Sequence, residues 1–157
     1  DKPEDSAAQT EAWEALKKRE RQAREMSILD DVPRALPALL RAAKLQKRAS
    51  AVGFDWHNAR KVLDKVAEEA AEVVEAADNG TDQAHVEEEV GDLLFVMANL
   101  ARHLKVDPEK ALRGANAKFI RRFNYIERNV KAQGRRLEQA SLDEMEALWQ
   151  EAKLTEK

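Results

Sequence analysis

One strong turn, DNGTDQ at Asp78–Gln83, separates two long runs of helical period. A cluster of Asn, Gly, Asp and Thr between periodic segments ends one helix and starts the next. So short a link makes the flanking helices antiparallel neighbours. Elsewhere punctuation is sparse, with five Gly and four Pro in 157 residues. Ala, Leu, Glu, Lys and Arg, the strong helix formers, dominate the rest. The expected class is all-α, an antiparallel helix bundle without a sheet, in a length suited to one domain.

The opening stretch, DKPEDSAAQTEAWEALKKRERQAREM, holds only Trp13, Leu16 and Met26 as large apolar residues and reads as a weakly anchored helix. Residues 1–34 are therefore expected to be a linker or peripheral helical segment, and residues 35–157 the main helical domain. Because the sequence begins with Asp1 rather than Met, it is expected to be cut from a longer protein. Two prolines set the entry of a helix from about Ala35, with Gly53 as its stop. A helix follows Trp56 and runs to Ala77, and the next runs from Ala84 to about Leu104. Asp107-Pro108 caps and opens a helix to about Ala132, and SLDE at Ser141–Glu144 is a capping box for a last helix ending near Lys153.

Charge and composition exclude several classes. The net charge is −3, from 30 acids and 27 bases, so no basic field favours a nucleic-acid polymer. No apolar run approaches the roughly 20 residues of a membrane span, and no signal-peptide pattern opens the chain. There is no Cys, which removes disulfides, thiolate metal sites and a Cys nucleophile, and fits a reducing cytoplasm.

At about 100° per residue, the helix before the turn is expected to pack through Leu63, Val66, Ala70, Val73, Val74 and Ala77. Glu69 falls at the border of that stripe and Glu72 just beyond it, with Glu68 and Glu75 nearer the opposite side. On the helix after the turn the expected core face is Val86, Val90, Leu93, Met97, Leu100 and Leu104, with Glu89 on its flank beside Val96 and Asp92 next to it. Both pairs, Glu69/Glu72 and Glu89/Asp92, have i,i+3 spacing, so each shares one helix surface. Buried carboxylates need a partner, and no inward Lys or Arg is evident on either helix. Four such groups from facing helices make a cage of hard oxygen ligands suited to Mg²⁺ or Mn²⁺. The plainer alternative is a pair of Glu-rich helices with solvated acids.

The helix after Asp107-Pro108 carries a stripe of Leu112, Ala115, Phe119, Ile126 and Val130, with Lys118 and Arg122 along one flank. Two cations at i,i+4 serve either interhelical salt bridges or phosphates, Arg as a bidentate fork and Lys as a point charge. In the last helix Trp149 and Lys153 repeat the spacing, as a core aromatic or as a platform for a base. His57, His85 and His103 form no close ligand set, so surface or helix-end roles are expected rather than zinc. Gly91 lowers helix propensity and is expected to allow close approach of a neighbour. Arg121, Arg128, Arg135 and Arg136 read as surface charge.

Taken together, GFDW at Gly53–Trp56, EEAAE at Glu68–Glu72, EEEVGDLLF at Glu87–Phe95, NLARHL at Asn99–Leu104, ANAKFIRRF at Ala115–Phe123 and LWQEAK at Leu148–Lys153 resemble the MazG family of all-α nucleoside triphosphate pyrophosphohydrolases. The resemblance covers about residues 27 to 154 and is nearest to the C-terminal catalytic domain of two-domain bacterial members, which makes residues 35–157 a MazG-like catalytic domain. It implies Mg²⁺-dependent hydrolysis of NTPs and dNTPs to monophosphate and pyrophosphate, with Mn²⁺ as a substitute metal. By the same resemblance Glu69, Glu72, Glu89 and Asp92 hold the metal, and Glu68 stands near a further metal or its waters. Lys118, Arg122 and Lys153 meet the triphosphate, and Trp149 shapes the nucleotide pocket. A homodimer completing each other's bundles is also implied, in line with more apolar surface at Trp13, Trp56 and the helix after the turn than one small bundle covers. A non-catalytic dimerisation module and a nucleotide sensor without turnover are the competing classes.

Overall fold

The computed structural model describes residues 4–23, 27–80 and 82–156; Met26 and Thr81, named above, lie outside them. All regular structure among the described residues is helical, as the composition requires. The helices are α1 (Glu4–Ala23), α2 (Ala38–Ser50), α3 (Ala59–Asp78), α4 (Gln83–His103), α5 (Pro108–Ala132) and α6 (Leu142–Thr155), with a 3₁₀ turn at Leu137–Gln139. Two compact units result, residues 1–108 and 109–157.

Local chemistry sets the boundaries. Helix α2 starts at Ala38 rather than near Ala35, because Pro37 disfavours helical backbone at Leu36. Past its end, Gly53 at φ +91° lets the Phe54 N–H donate to the Ala49 carbonyl at 3.1 Å. Asn58 caps α3 by accepting from the Lys61 N–H at 3.0 Å, and Asp82 caps α4 by accepting from the Ala84 N–H at 2.6 Å. Between these helices Gly80 takes φ +60°, the left-handed conformation the tight turn needs. In α6 the Ser141 hydroxyl accepts from the Glu144 N–H at 3.2 Å, the first half of the expected capping box.

In the first unit α4 is the central element, packed against both α3 and α2. Its core includes Val62, Ala76, Val96 and Ala98, and the buried Gln46 side chain donates from α2 to the Phe95 carbonyl at 2.8 Å. The inward arc of α3 thus runs through Val62, Glu69 and Ala76, one position back from the expected stripe. Leu63, Val74 and Ala77 on α3, and Val90, Met97 and Leu104 on α4, are exposed instead. Smaller side chains fill the seam where the helices meet, which permits close approach, and the bulkier apolar face is left uncovered. Gly91 is not the point of close approach: a Cβ there would meet nothing within 4 Å.

Helix α1 keeps Trp13 and Leu16 mostly exposed, as its composition suggests. Near its end Arg21 meets Asp31 at 2.6 Å, and Arg48 of α2 reaches the same carboxylate at 3.0 Å. In the second unit Ile126, Val130 and Ala152 are buried, whereas Leu112, Ala115 and Phe119 of the expected α5 stripe are exposed. Arg135 fastens the 3₁₀ turn to α6 through Glu144 at 2.7 Å and the Gln139 carbonyl at 2.7 Å.

Candidate metal centre

Helical spacing on two neighbouring helices gathers Glu69 from α3 with Glu89 and Asp92 from α4. Each offers a carboxylate oxygen, and these oxygens all lie within 4.8 Å of one another. Opposite ligands of a Mg²⁺ ion bound at ~2.1 Å stand ~4.2 Å apart, a similar spread. Glu69 is 6 % exposed, although an isolated carboxylate at such a depth is costly. Moreover, Glu69 Oε2 and Glu89 Oε2 are buried without any hydrogen-bond partner. Two orphaned anionic oxygens on members of one acidic cluster fit a hard divalent cation, which satisfies such oxygens without needing a donor proton.

A cation already stands at the edge. Lys65 Nζ lies 3.0 Å from Glu69 Oε1 and 3.1 Å from Glu68 Oε2, so the expectation of no inward Lys on these helices is wrong. The signal was present as i,i+4 and i,i+3 spacing one turn before the acids. Hydrogen bonds to Glu69 and then Glu68 raise the Lys65 ammonium above its ordinary value. The bond from Lys65 in turn holds Glu69 below the ordinary carboxylate value, against burial. Glu72 moves the other way, pushed up first by its hydrogen bond with Glu69 and then by that neighbour's charge, with a smaller push from Glu89. Glu72 therefore stands beside Glu69 with its carboxyl biased toward the protonated form, while Glu68 projects outward on the Lys65 side.

His85 and His103 mark the two ends of α4. His85 approaches Glu89 at 3.7 Å and Glu88 at 3.8 Å, a neighbour of the acids that the reading of the histidines passed over. His103 Nε2 lies 2.9 Å from Asp55 Oδ1, which also accepts from Arg102 at 2.6 Å. Arg102 donates as well to the buried Asn99 side chain, at 3.0 Å from Nε and 2.8 Å from Nη2. Burial raises the Asp55 carboxyl, but the bonds from Arg102 and His103 outweigh it and hold the group below its ordinary value. The GFDW segment is thereby pinned to the end of α4.

In the second unit, Arg122 on α5 meets two partners of different kinds. Its guanidinium donates twice to Glu156 Oε2, at 3.1 and 2.9 Å, and lies 5.3 Å from the centre of the Trp149 ring. Trp149 also packs on Phe119, with ring centroids 5.5 Å apart. Phe119 stacks in turn on Phe123 at 6.0 Å. Two of the expected substrate-binding residues, Arg122 and Trp149, are thus brought together, whereas Lys118 and Lys153 extend from exposed positions. Glu156, which Arg122 holds below its ordinary carboxylate value, carried no recognisable signal because it lies beyond the last predicted helix.

Residues 58–126, which span both acidic pairs together with Lys118 and Arg122, match the MazG nucleotide pyrophosphohydrolase domain. The chain is thus similar to the MazG family over residues 58–126. It is 50 % identical over 155 residues to the nucleoside triphosphate pyrophosphohydrolase of Escherichia coli strain K12, covering 98 % of this chain and 59 % of that protein. A second relative is the nucleoside triphosphate pyrophosphohydrolase/pyrophosphatase MazG of Thermotoga maritima, 40 % identical over 141 residues, covering 90 % of this chain and 54 % of the relative. Bacillus subtilis uncharacterized protein YabN is 44 % identical over 145 residues, covering 92 % of this chain and 30 % of its own. The chain therefore spans three-fifths or less of each of these curated relatives. No helix among the described residues is long and apolar enough to cross a membrane.

Proposed function

We propose that this chain hydrolyses nucleoside triphosphates, NTP or dNTP, to the monophosphate and pyrophosphate, with Mg²⁺ or Mn²⁺ held by Glu69, Glu89 and Asp92 and with Glu72 as a neighbouring ligand. The observation that carries this reading is the pair of buried, partnerless oxygens, Glu69 Oε2 and Glu89 Oε2, on two members of the acidic cluster. The names of the relatives from E. coli and T. maritima support the reaction class.

When bound, a divalent ion of this kind supplies charge neutralisation of the phosphates and lowers the pKa of a coordinated water. The chain's own groups do the rest. Glu72, already raised toward its protonated form by Glu69, or the outward Glu68 accepts the proton of the attacking water. Oxygen from that water forms the new bond to phosphorus, and the α–β phosphoanhydride bond breaks as pyrophosphate leaves with the bridging oxygen. Lys118, Arg122 and Lys153 bind phosphate oxygens and offset the charge that builds on the leaving group. Trp149, fixed by Phe119 and Arg122, offers its ring to the nucleotide. A homodimer acting in the cytoplasm completes the proposal. Support for the second copy is the uncovered apolar surface of Leu63, Val74, Val90, Leu94 and Met97, which is large for a lone bundle.

Phosphorus NMR of the purified chain with mixed NTPs and dNTPs, in Mg²⁺ and then in EDTA, tests the reading. Monophosphate and pyrophosphate appearing only with Mg²⁺ is the expected result. Orthophosphate with nucleoside diphosphate, or turnover indifferent to EDTA, would refute it.

A further inference from the structure

Lys65 answers to none of the roles above, yet it stands in ion-pair contact with the acidic cluster. Its Nζ bridges Glu69 Oε1 at 3.0 Å and Glu68 Oε2 at 3.1 Å, while Glu69 Oε2 is buried with no hydrogen-bond partner. One ammonium is too little charge for Glu69, Glu89 and Asp92 together, which leaves the cluster strongly anionic. We propose that Lys65 is a built-in counter-ion of the site: its ammonium holds Glu69 in the metal-free chain, keeps free monovalent cations out, and is displaced when a divalent ion binds. The inference rests on the reading that Glu69, Glu89 and Asp92 are the metal ligands.

Three features favour displacement over a permanent salt bridge. Lys65 sits one helical turn before Glu69, so its ammonium competes at an effective concentration that a free monovalent ion does not match. It binds through a single compact charge on a flexible stem, which lets go more readily than the bidentate fork of an Arg. With a third of its side chain exposed, against 8 % for Glu69, the ammonium reaches water without crossing the core. A free K⁺ or Na⁺ brings no more charge than the ammonium it would replace. A divalent ion brings twice as much and engages all three acids, so the tethered Lys sets a threshold that favours divalent over monovalent cations.

The test measures Mn²⁺ binding without nucleotide, from the free-ion electron paramagnetic resonance signal, for wild type, Lys65→Met and Lys65→Arg. Each is titrated in potassium chloride and in choline chloride of equal ionic strength, with helicity checked by circular dichroism. In choline, Lys65→Met should bind Mn²⁺ ~5- to 10-fold tighter than wild type, the scale of losing one charged hydrogen-bonded competitor. Potassium should weaken that variant several-fold and leave wild type nearly unchanged, and Lys65→Arg should bind no tighter than wild type. Equal or weaker Mn²⁺ binding by a folded Lys65→Met, or equal potassium sensitivity in all three chains, would overturn the proposal. A Glu89→Gln chain separates the two levels: if it binds Mn²⁺ as tightly as wild type, the metal centre itself has been misassigned, whatever Lys65 does.

Discussion

Neutralising Asp92 should make the metal-free protein more stable while damaging the site. The carboxylate oxygens of Glu69, Glu89 and Asp92 lie within 4.8 Å of one another. Two unit charges at that separation repel by ~0.9 kcal/mol in a water-like dielectric, and by ~3.5 kcal/mol at an effective value of 20. Asp92 is exposed, so the lower figure applies to its interaction with each of the two glutamates. Lys65 pairs with Glu69 and Glu68, so it does not relieve Asp92 directly. Asp92→Asn, nearly the same in shape, should therefore stabilise the EDTA-treated chain by ~1–2 kcal/mol. For a protein of this size that is a rise in melting temperature of ~2–8 °C. With Mg²⁺ at a hundredfold excess over its dissociation constant, the wild type gains ~2.7 kcal/mol, whereas the variant has lost a ligand and gains little. Paired thermal melts in EDTA and in Mg²⁺ should thus reverse their order. An Asn variant that melts at or below wild type in EDTA would show that these acids do not strain the empty site, and the argument from repulsion would fail.

Other substitutions separate the remaining elements. Glu69→Ala should abolish Mg²⁺-dependent turnover with the far-ultraviolet helical signal largely kept; unchanged turnover would remove Glu69 from the site. Arg122→Ala takes away both the Glu156 pair at 2.9 Å and the guanidinium beside Trp149, and kcat should fall ~10²- to 10³-fold; a kcat within twofold of wild type would exclude a role in transition-state charge. Asp55 is held below its ordinary value of 3.8, so its contribution to stability is present above that pH and is lost as pH falls through the lower folded value. Asp55→Asn should accordingly lower stability at pH 7 and flatten the acid limb of an unfolding-against-pH curve below about 4; an acid limb as steep as wild type would sink this assignment. Val62→Ala, at a fully buried position, should cost ~2 kcal/mol in chemical denaturation, and a loss below ~0.5 kcal/mol would contradict the packing of the α3–α4 seam.

Helix order and the turn at Asp78–Gln83 were legible because caps and breakers act locally, through Asn58, Asp82 and Gly80. Which way each helix faces was harder to read. On α3 two apolar arcs lie side by side, and hydropathy favoured the bulkier one with Leu63 and Val74 over Val62 and Ala76, which fit the closer seam. On α4 the run Leu93–Ala98 is apolar on every side, so period alone does not choose a face there. Asn99 illustrates the limit: its polarity assigns it to the surface, yet it is 1 % exposed because Arg102 satisfies its carbonyl oxygen. The grouping of Glu69, Glu89 and Asp92 was accessible from i,i+3 spacing and the tight turn. The Lys65 contact was missed because the expected stripe was turned one position forward, away from Lys65, which stands on the flank of the arc through Val62, Glu69 and Ala76.

The α3–α4 hairpin has a consequence for how the protein comes to life. All three clustered acids belong to two consecutive helices joined by the turn around Gly80. Contacts so close along the chain form early, because little loop entropy is lost in making them. During synthesis this hairpin emerges from the ribosome before α5 and α6 do, at a pace of ~5–20 residues per second, while a helical pair closes on the scale of microseconds. The acids can therefore meet, and repel, in a nascent chain. A cation available at that moment would act on the folding of the hairpin as well as on the finished protein.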